Sequence, residues 1–128
     1  GSGVLGCFAS AEGRHCVAAG NLLANESVPG AMVSSFESSQ GSFGSRLLAA
    51  LVAGVEAGGE AGPVHSAGML IGGDPSWPLA ELRIDWDDDP VAKMQAGWIV
   101  YEPQIEDYIT RAYNPQAAPA YGVPGDPE

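Results

Sequence analysis

The chain predicts a mixed α/β (α+β) fold in one small domain, and three observations carry that reading. Its apolar period switches along the chain between about 2, the strand signature, and about 3.6, the helix signature. Strand-like and helix-like runs come in blocks: two strands, two helices, two strands, two helices. A layered structure with helices packed on sheet suits that order. Finally, 128 residues, 45% of them apolar, are enough for one domain with a real core and argue against wholesale disorder.

The first block is Val4–Ala19. Val4–Ala9 is a short β-prone run, Glu12-Gly13-Arg14 signals a turn, and His15–Ala19 is a second strand that reads as stopping at Gly20-Asn21. Asn25-Glu26-Ser27 then has the character of a helix start, with Pro29 in the first turn and Met32, Val33 and Phe36 at helical spacing. The Ser38–Ser42 stretch breaks that helix. Ser45–Ala57 follows as the clearest helix, with Leu47, Leu48, Leu51, Val52 and Val55 on one face and Gly58-Gly59 ending it.

The second half repeats the pattern. Ser66–Ile71 reads as a buried strand after a Glu60–Val64 loop, and Gly73-Asp74-Pro75-Ser76 turns the chain. In Leu79–Trp86 the apolar Leu82, Ile84 and Trp86 alternate with Glu81, Arg83 and Asp85, as in a half-exposed strand. Asp89-Pro90 is an N-cap followed by proline at the first helical position. Val91, Met94, Trp98 and Tyr101 then form an inward stripe, which Ile105, Tyr108, Ile109 and Ala112 continue beyond a stop or kink at Pro103. Residues 1–113 are therefore read as domain and 114–128, rich in Pro, Ala and Gly, as an extended tail. The helices near Ser45–Ala57 and Pro90–Tyr101 are expected to cover one sheet containing Cys16–Ala19, Ser66–Ile71 and Leu79–Trp86.

Charge excludes one class of partner. The formal net charge is −11, and eleven of the sixteen acids lie from His65 onward. Such a chain repels a phosphate backbone, so nucleic acid is not an expected ligand. No apolar run approaches the ~20 residues that a membrane helix needs. The start, Gly1-Ser2-Gly3 with no Met, carries no signal-peptide pattern; it reads as a cleavage product or as added residues ahead of the natural sequence, and a cytoplasmic setting is favoured.

Few residues carry obvious chemistry. Cys7 and Cys16 have neither zinc-type spacing nor a His/Cys cluster and read as small buried apolar residues, although two neighbouring strands could bring them together. Asp85, Asp87, Asp88 and Asp89 offer the oxygen ligands a hard cation needs, but the run sits where a strand hands over to a helix, so N-capping explains it better. His15 reads as structural. His65, at the mouth of a strand, suits a site residue or a solvent-facing turn. No nucleophile elbow or Walker loop is present, and Gly1-Ser2-Gly3-Val4-Leu5-Gly6 lacks the preceding strand that a dinucleotide fingerprint requires. Gly20-Asn21 is the most suggestive point, because a strand ending there ahead of a helix brings backbone N–H groups and a side-chain amide together.

Several ordered blocks resemble one family. GNLLAN, RLLAALVAGVEAGGEAG, HSAGMLI and LRIDWDDDPVAKM are similar to the C-terminal half of DUF1028 proteins, over residues 5–128. The resemblance implies a four-layer αββα sandwich of the N-terminal-nucleophile (Ntn) hydrolase type, of which this chain is the C-terminal part. It also implies an amide-bond hydrolase acting on a small molecule or peptide, without cofactor or metal. The nucleophile, a Thr or Ser with its free amine as base, would lie on an N-terminal segment. By layout Asn21 is the catalytic residue, stabilising an oxyanion or holding that amine, while Gly20, His65 and Ser66 form the substrate side, with the Gly62–Ser66 loop approaching the amine. His65 stands where the family usually has Gln, and Leu22 where it has Met. The partners implied are the N-terminal segment or a second chain, and a homo-oligomer. Two alternatives stand beside this: a noncatalytic binding or assembly module on the same fold, and a metal-dependent enzyme built on Asp85–Asp89.

Overall fold

Gly13 closes the first turn with its N–H on the Cys16 carbonyl, 2.8 Å away, and folds β1 (Cys7–Glu12) onto β2 (Val17–Leu23) as an antiparallel hairpin. The computed structural model that shows this describes residues 6–117. After the hairpin come α1 (Val28–Ser38), α2 (Phe43–Glu56), β3 (Ala67–Ile71), β4 (Ala80–Ile84), α3 (Pro90–Tyr101), a 3₁₀ turn over Glu102–Gln104, and α4 (Ile105–Tyr113).

Polar side chains take up free N–H groups at or just ahead of the starts of α1, α2 and α3, whereas α4 begins without a side-chain cap. Asn25 Oδ1 accepts from the Ser27 N–H at 2.9 Å, just ahead of α1 and its first-turn Pro29. The Ser42 hydroxyl accepts from the Ser45 N–H at the start of α2, and Asp89 Oδ1 accepts from the Ala92 N–H, 3.1 Å away, at the start of α3. These contacts satisfy donors that the helix geometry leaves without partners. Pro103 interrupts the helical run as expected: α3 ends at Tyr101, Pro103 sits in the 3₁₀ joint, and α4 opens after it.

The core is small and well defined. Leu48 of α2 packs with Met94 and Trp98 of α3, and Met69, Ile71, Leu82 and Ile84 close over them from β3 and β4. Met94 is fully buried, and each such side chain contributes about 1.5–3 kcal/mol relative to exposure. Trp98 fits only because residue 44 is glycine: a Cβ there would lie 2.3 Å from Trp98 Cζ2. The indole N–H donates to Ser45 Oγ at 3.0 Å, and the Ser42 hydroxyl donates to the Glu102 carboxylate, so α3 is fastened to the start of α2.

Several expectations need correction. The predicted single sheet is two separate two-stranded sheets, β1–β2 and β3–β4, both antiparallel. An apolar groove of about 310 Å³ lies between β2 and β3, floored by Met32, Val33, Phe36, Leu47, Leu48 and Leu51, so the two strands cannot bond to each other across it. β2 also runs past Gly20-Asn21 to Leu23. Its far end gains a partner that local sequence does not reveal, the chain after α2: Leu23 bridges Glu60, the Ala61 N–H donates to the Leu22 carbonyl, and the Ala24 N–H to the Gly59 carbonyl.

Trp86 is 75% exposed, outside β4, and does not share the buried face of Leu82 and Ile84. Val55 likewise faces outward from α2. Cys7 and Cys16 are half-buried, free, and lie at opposite ends of the hairpin, Cys7 opposite Leu23 and Cys16 beside the turn. Of the expected tail, 118–128 lies outside the described residues; Asn114 begins a turn in which its carbonyl accepts from the Ala117 N–H.

Candidate functional site

Asn21 occupies an irregular point of the hairpin. Cys7 faces Leu23 and Ala9 faces Gly20, so Asn21 and Leu22 together oppose Phe8 alone. This is a β-bulge, which bends the strand and re-aims its side chains. Leu22 adopts φ 53°, a left-handed conformation that is unusual for a large side chain and costs on the order of 1–3 kcal/mol. Two contacts hold it there. The Leu22 carbonyl accepts the Ala61 N–H at 2.7 Å, and Gly6 lies so close that a Cβ on it would come 2.2 Å from the Leu22 backbone.

The Asn21 side chain is exposed and makes no hydrogen bond with another described residue, so its amide is unspent. It lines a shallow depression with Phe8, Ser10, Ala19 and Gly20, on the hairpin face turned away from α1. Asn25 is the amide with structural work: beside its bond to Ser27, its Nδ2 donates to the Ala57 carbonyl at 2.8 Å and ties the end of β2 to the end of α2.

The other candidate residues sit at the far end of the 62–66 loop. The His65 ring stacks on Trp86, with centroids 4.0 Å apart and planes 5° from parallel. Its Nε2 is 3.8 Å from Asp88 Oδ1, and its carbonyl accepts the Asp87 N–H at 2.9 Å. Ser66 is exposed ahead of β3. No hydrogen bond joins Asn21 to His65 or Ser66. What the fold brings together is the bulge and the start of the loop, through the Leu22–Ala61 bond. From Ala61, four residues reach His65, a span of at most about 14 Å. Sequence reading did not place Leu22 or Trp86 in a site: nothing local marked Leu22 as left-handed, and Trp86 was read on the same strand face as Leu82 and Ile84.

The carboxylates of the aspartate run contact the protein itself. Asp85 pairs with Arg83 at 3.2 Å, Asp87 Oδ1 accepts the Asp89 N–H, and Asp89 caps α3. Among the described residues no three His, Cys, Asp or Glu side chains converge as a metal site would require. No helix of the described residues is long and apolar enough to cross a membrane.

A family model described as a family of unknown function, DUF1028, matches residues 1–94. The chain belongs to the DUF1028 family. A crystal structure of a DUF1028 protein from Silicibacter pomeroyi is similar, with 34% identity and a TM-score of 0.64 over 73% of this chain. The same similarity spans only 41% of that neighbour's chain. No curated protein matches. The family match stops at Met94, inside α3, so the resemblance drawn over residues 5–128 reaches further than the family model does.

Proposed function

We propose that this DUF1028 chain is the non-nucleophile part of an Ntn-type amide hydrolase acting on a small molecule or peptide, with Asn21 beside the reacting carbonyl. In that chemistry the free α-amine of an N-terminal Thr, Ser or Cys takes the proton from its own side chain. The oxygen or sulfur adds to the amide carbon, and the carbonyl oxygen becomes an oxyanion. Collapse expels the amine, which leaves with the proton, and water then releases the acid. A neutral amide donor serves this step because it stabilises charge that develops only in the transition state.

The observation that carries the reading is the strained bulge. Leu22 is held at φ 53° immediately beside an unengaged, exposed amide, and no packing need of Leu22 explains it, since its side chain is itself largely exposed. Strain of this kind concentrates at functional sites.

The nucleophile-bearing segment has a natural seat in this proposal, the groove between β2 and β3. Both strands present an unpaired edge to it, and Val17 and Leu70, which line it, are 71% and 60% exposed. Open edges and bare apolar faces of this sort call for a partner. The partner we favour is the further sequence that the Silicibacter relative has beyond the 41% matched here. A homo-oligomer is the other occupant, and two copies carrying −11 each repel one another.

Treating the full-length protein with an amine- and thiol-compatible acylating probe such as a β-lactone tests the reading. Intact mass and N-terminal sequencing should place a single acyl group on an N-terminal Thr, Ser or Cys of the segment ahead of this one. An unlabelled protein, or labelling scattered over lysines and internal side chains, counts against an Ntn mechanism and leaves a binding module on the same fold.

A further inference from the structure

At the turn end of the hairpin, roughly 20 Å along β2 from Asn21 at ~3.3 Å per residue, a cavity of about 540 Å³ is lined by Arg14, His15, Phe36, Glu37, Phe43 and Arg46. Its volume lies within the range of small-molecule sites. The charge distribution sets it apart. The chain has only five Lys and Arg against sixteen acids, and two of those five, with one of its two histidines, meet here.

The two arginines have donors to spare. Arg46 is held in place from one side: its guanidinium lies 4.1 Å over the Phe36 ring, and Nη2 donates to the Phe36 carbonyl at 2.7 Å. Its Nε is buried without a partner, and Nη1 bonds to no described residue. The Arg14 guanidinium bonds to no described residue; it is the Arg14 backbone N–H that donates to Glu37 Oε1. A pre-set guanidinium with unspent donors is suited to a planar carboxylate. Phe36 and Phe43 meet edge to face at 6.0 Å, and Phe43 stays about half exposed, so the wall beside the arginines is aromatic. Glu37, in the same wall, disfavours a second negative charge on the ligand.

We propose that this cavity binds a small aromatic monocarboxylate, with its carboxylate between Arg14 and Arg46 and its ring against Phe43. The site is separate from Asn21 and does not depend on the hydrolase reading.

The test is an amide-NMR titration of the full-length protein with benzoate, benzyl alcohol and inorganic phosphate as probes. Benzoate should give saturable shifts at Arg14, His15 and Phe43. Arg14→Gln, which keeps the backbone bond to Glu37, should weaken it by roughly tenfold or more, the scale of a charge-assisted hydrogen bond. Arg46→Gln should weaken it as well, but because Arg46 also anchors Phe36, Arg14→Gln is the deciding variant. The proposal is overturned if benzoate gives no saturable shift, if Arg14→Gln binds it unchanged, or if benzyl alcohol or phosphate binds as well as benzoate.

Discussion

Gly44→Ala is a direct probe of how the two halves of the chain are locked together. A methyl on residue 44 would stand 2.3 Å from Trp98 Cζ2, 2.5 Å from Cη2 and 3.1 Å from Ile71 Cδ1. Carbon atoms prefer about 3.5–4.0 Å, so the indole must retreat by more than about 1 Å. It has little room, since Trp98 packs against Met94 and Leu48, and retreat stretches its 3.0 Å bond to Ser45 Oγ. Overpacking costs about 1–3 kcal/mol and the weakened hydrogen bond about 0.5–1.5. Replacing glycine by alanine inside a helix returns up to about 1 kcal/mol. The net loss is about 1–3 kcal/mol, or roughly 5–20 °C in melting temperature for a domain of this size. Gly30→Ala in α1 is the control: no atom lies within 4 Å of its Cβ position, so the variant should melt at or slightly above the parent. Thermal unfolding followed by helical circular dichroism reads both. A Gly44→Ala protein as stable as Gly30→Ala refutes the close packing of Trp98 on α2.

Two further changes test the joints around the candidate site. Asn25→Ala removes the acceptor for the Ser27 N–H and the donor to the Ala57 carbonyl, and should cost about 1–2 kcal/mol in urea unfolding with an unchanged slope; no loss would mean that the tie between β2 and α2 is incidental. Asp89→Ala removes the cap of α3 and should cost about 1 kcal/mol, with no change in bound metal by elemental analysis, whereas metal lost with the carboxylate would revive the aspartate run as a cation site.

Local chemistry made most elements readable. Proline after aspartate marked the start of α3, and Pro29 after Ser27 marked α1. The stripe of Val91, Met94 and Trp98 is buried as its spacing predicted. What was not readable depends on contacts distant in sequence. The pairing that carries β2 on to Leu23 comes from residues 59–61, after two intervening helices. The separation of the two sheets depends on a groove whose walls lie some fifty residues apart. Alternation placed Trp86 on the strand face of Leu82 and Ile84, but the strand ends at Ile84 and Trp86 stacks on His65 instead. At the candidate site Asn21 was legible as a polar residue at a suggestive point. The bulge was not, because nothing in the local pattern Gly20-Asn21-Leu22 announces a left-handed leucine.

If Asn21 serves chemistry and not folding, Asn21→Ala in the full-length protein separates the two, with acylation of the proposed N-terminal nucleophile by the β-lactone probe as the rate and the melting temperature as the control. Acylation should slow by about 10²-fold or more at an unchanged melting temperature, the scale of a single lost oxyanion donor. Acylation at the parental rate, with stability lowered by about 1 kcal/mol, would contradict the proposed role and make Asn21 a turn residue.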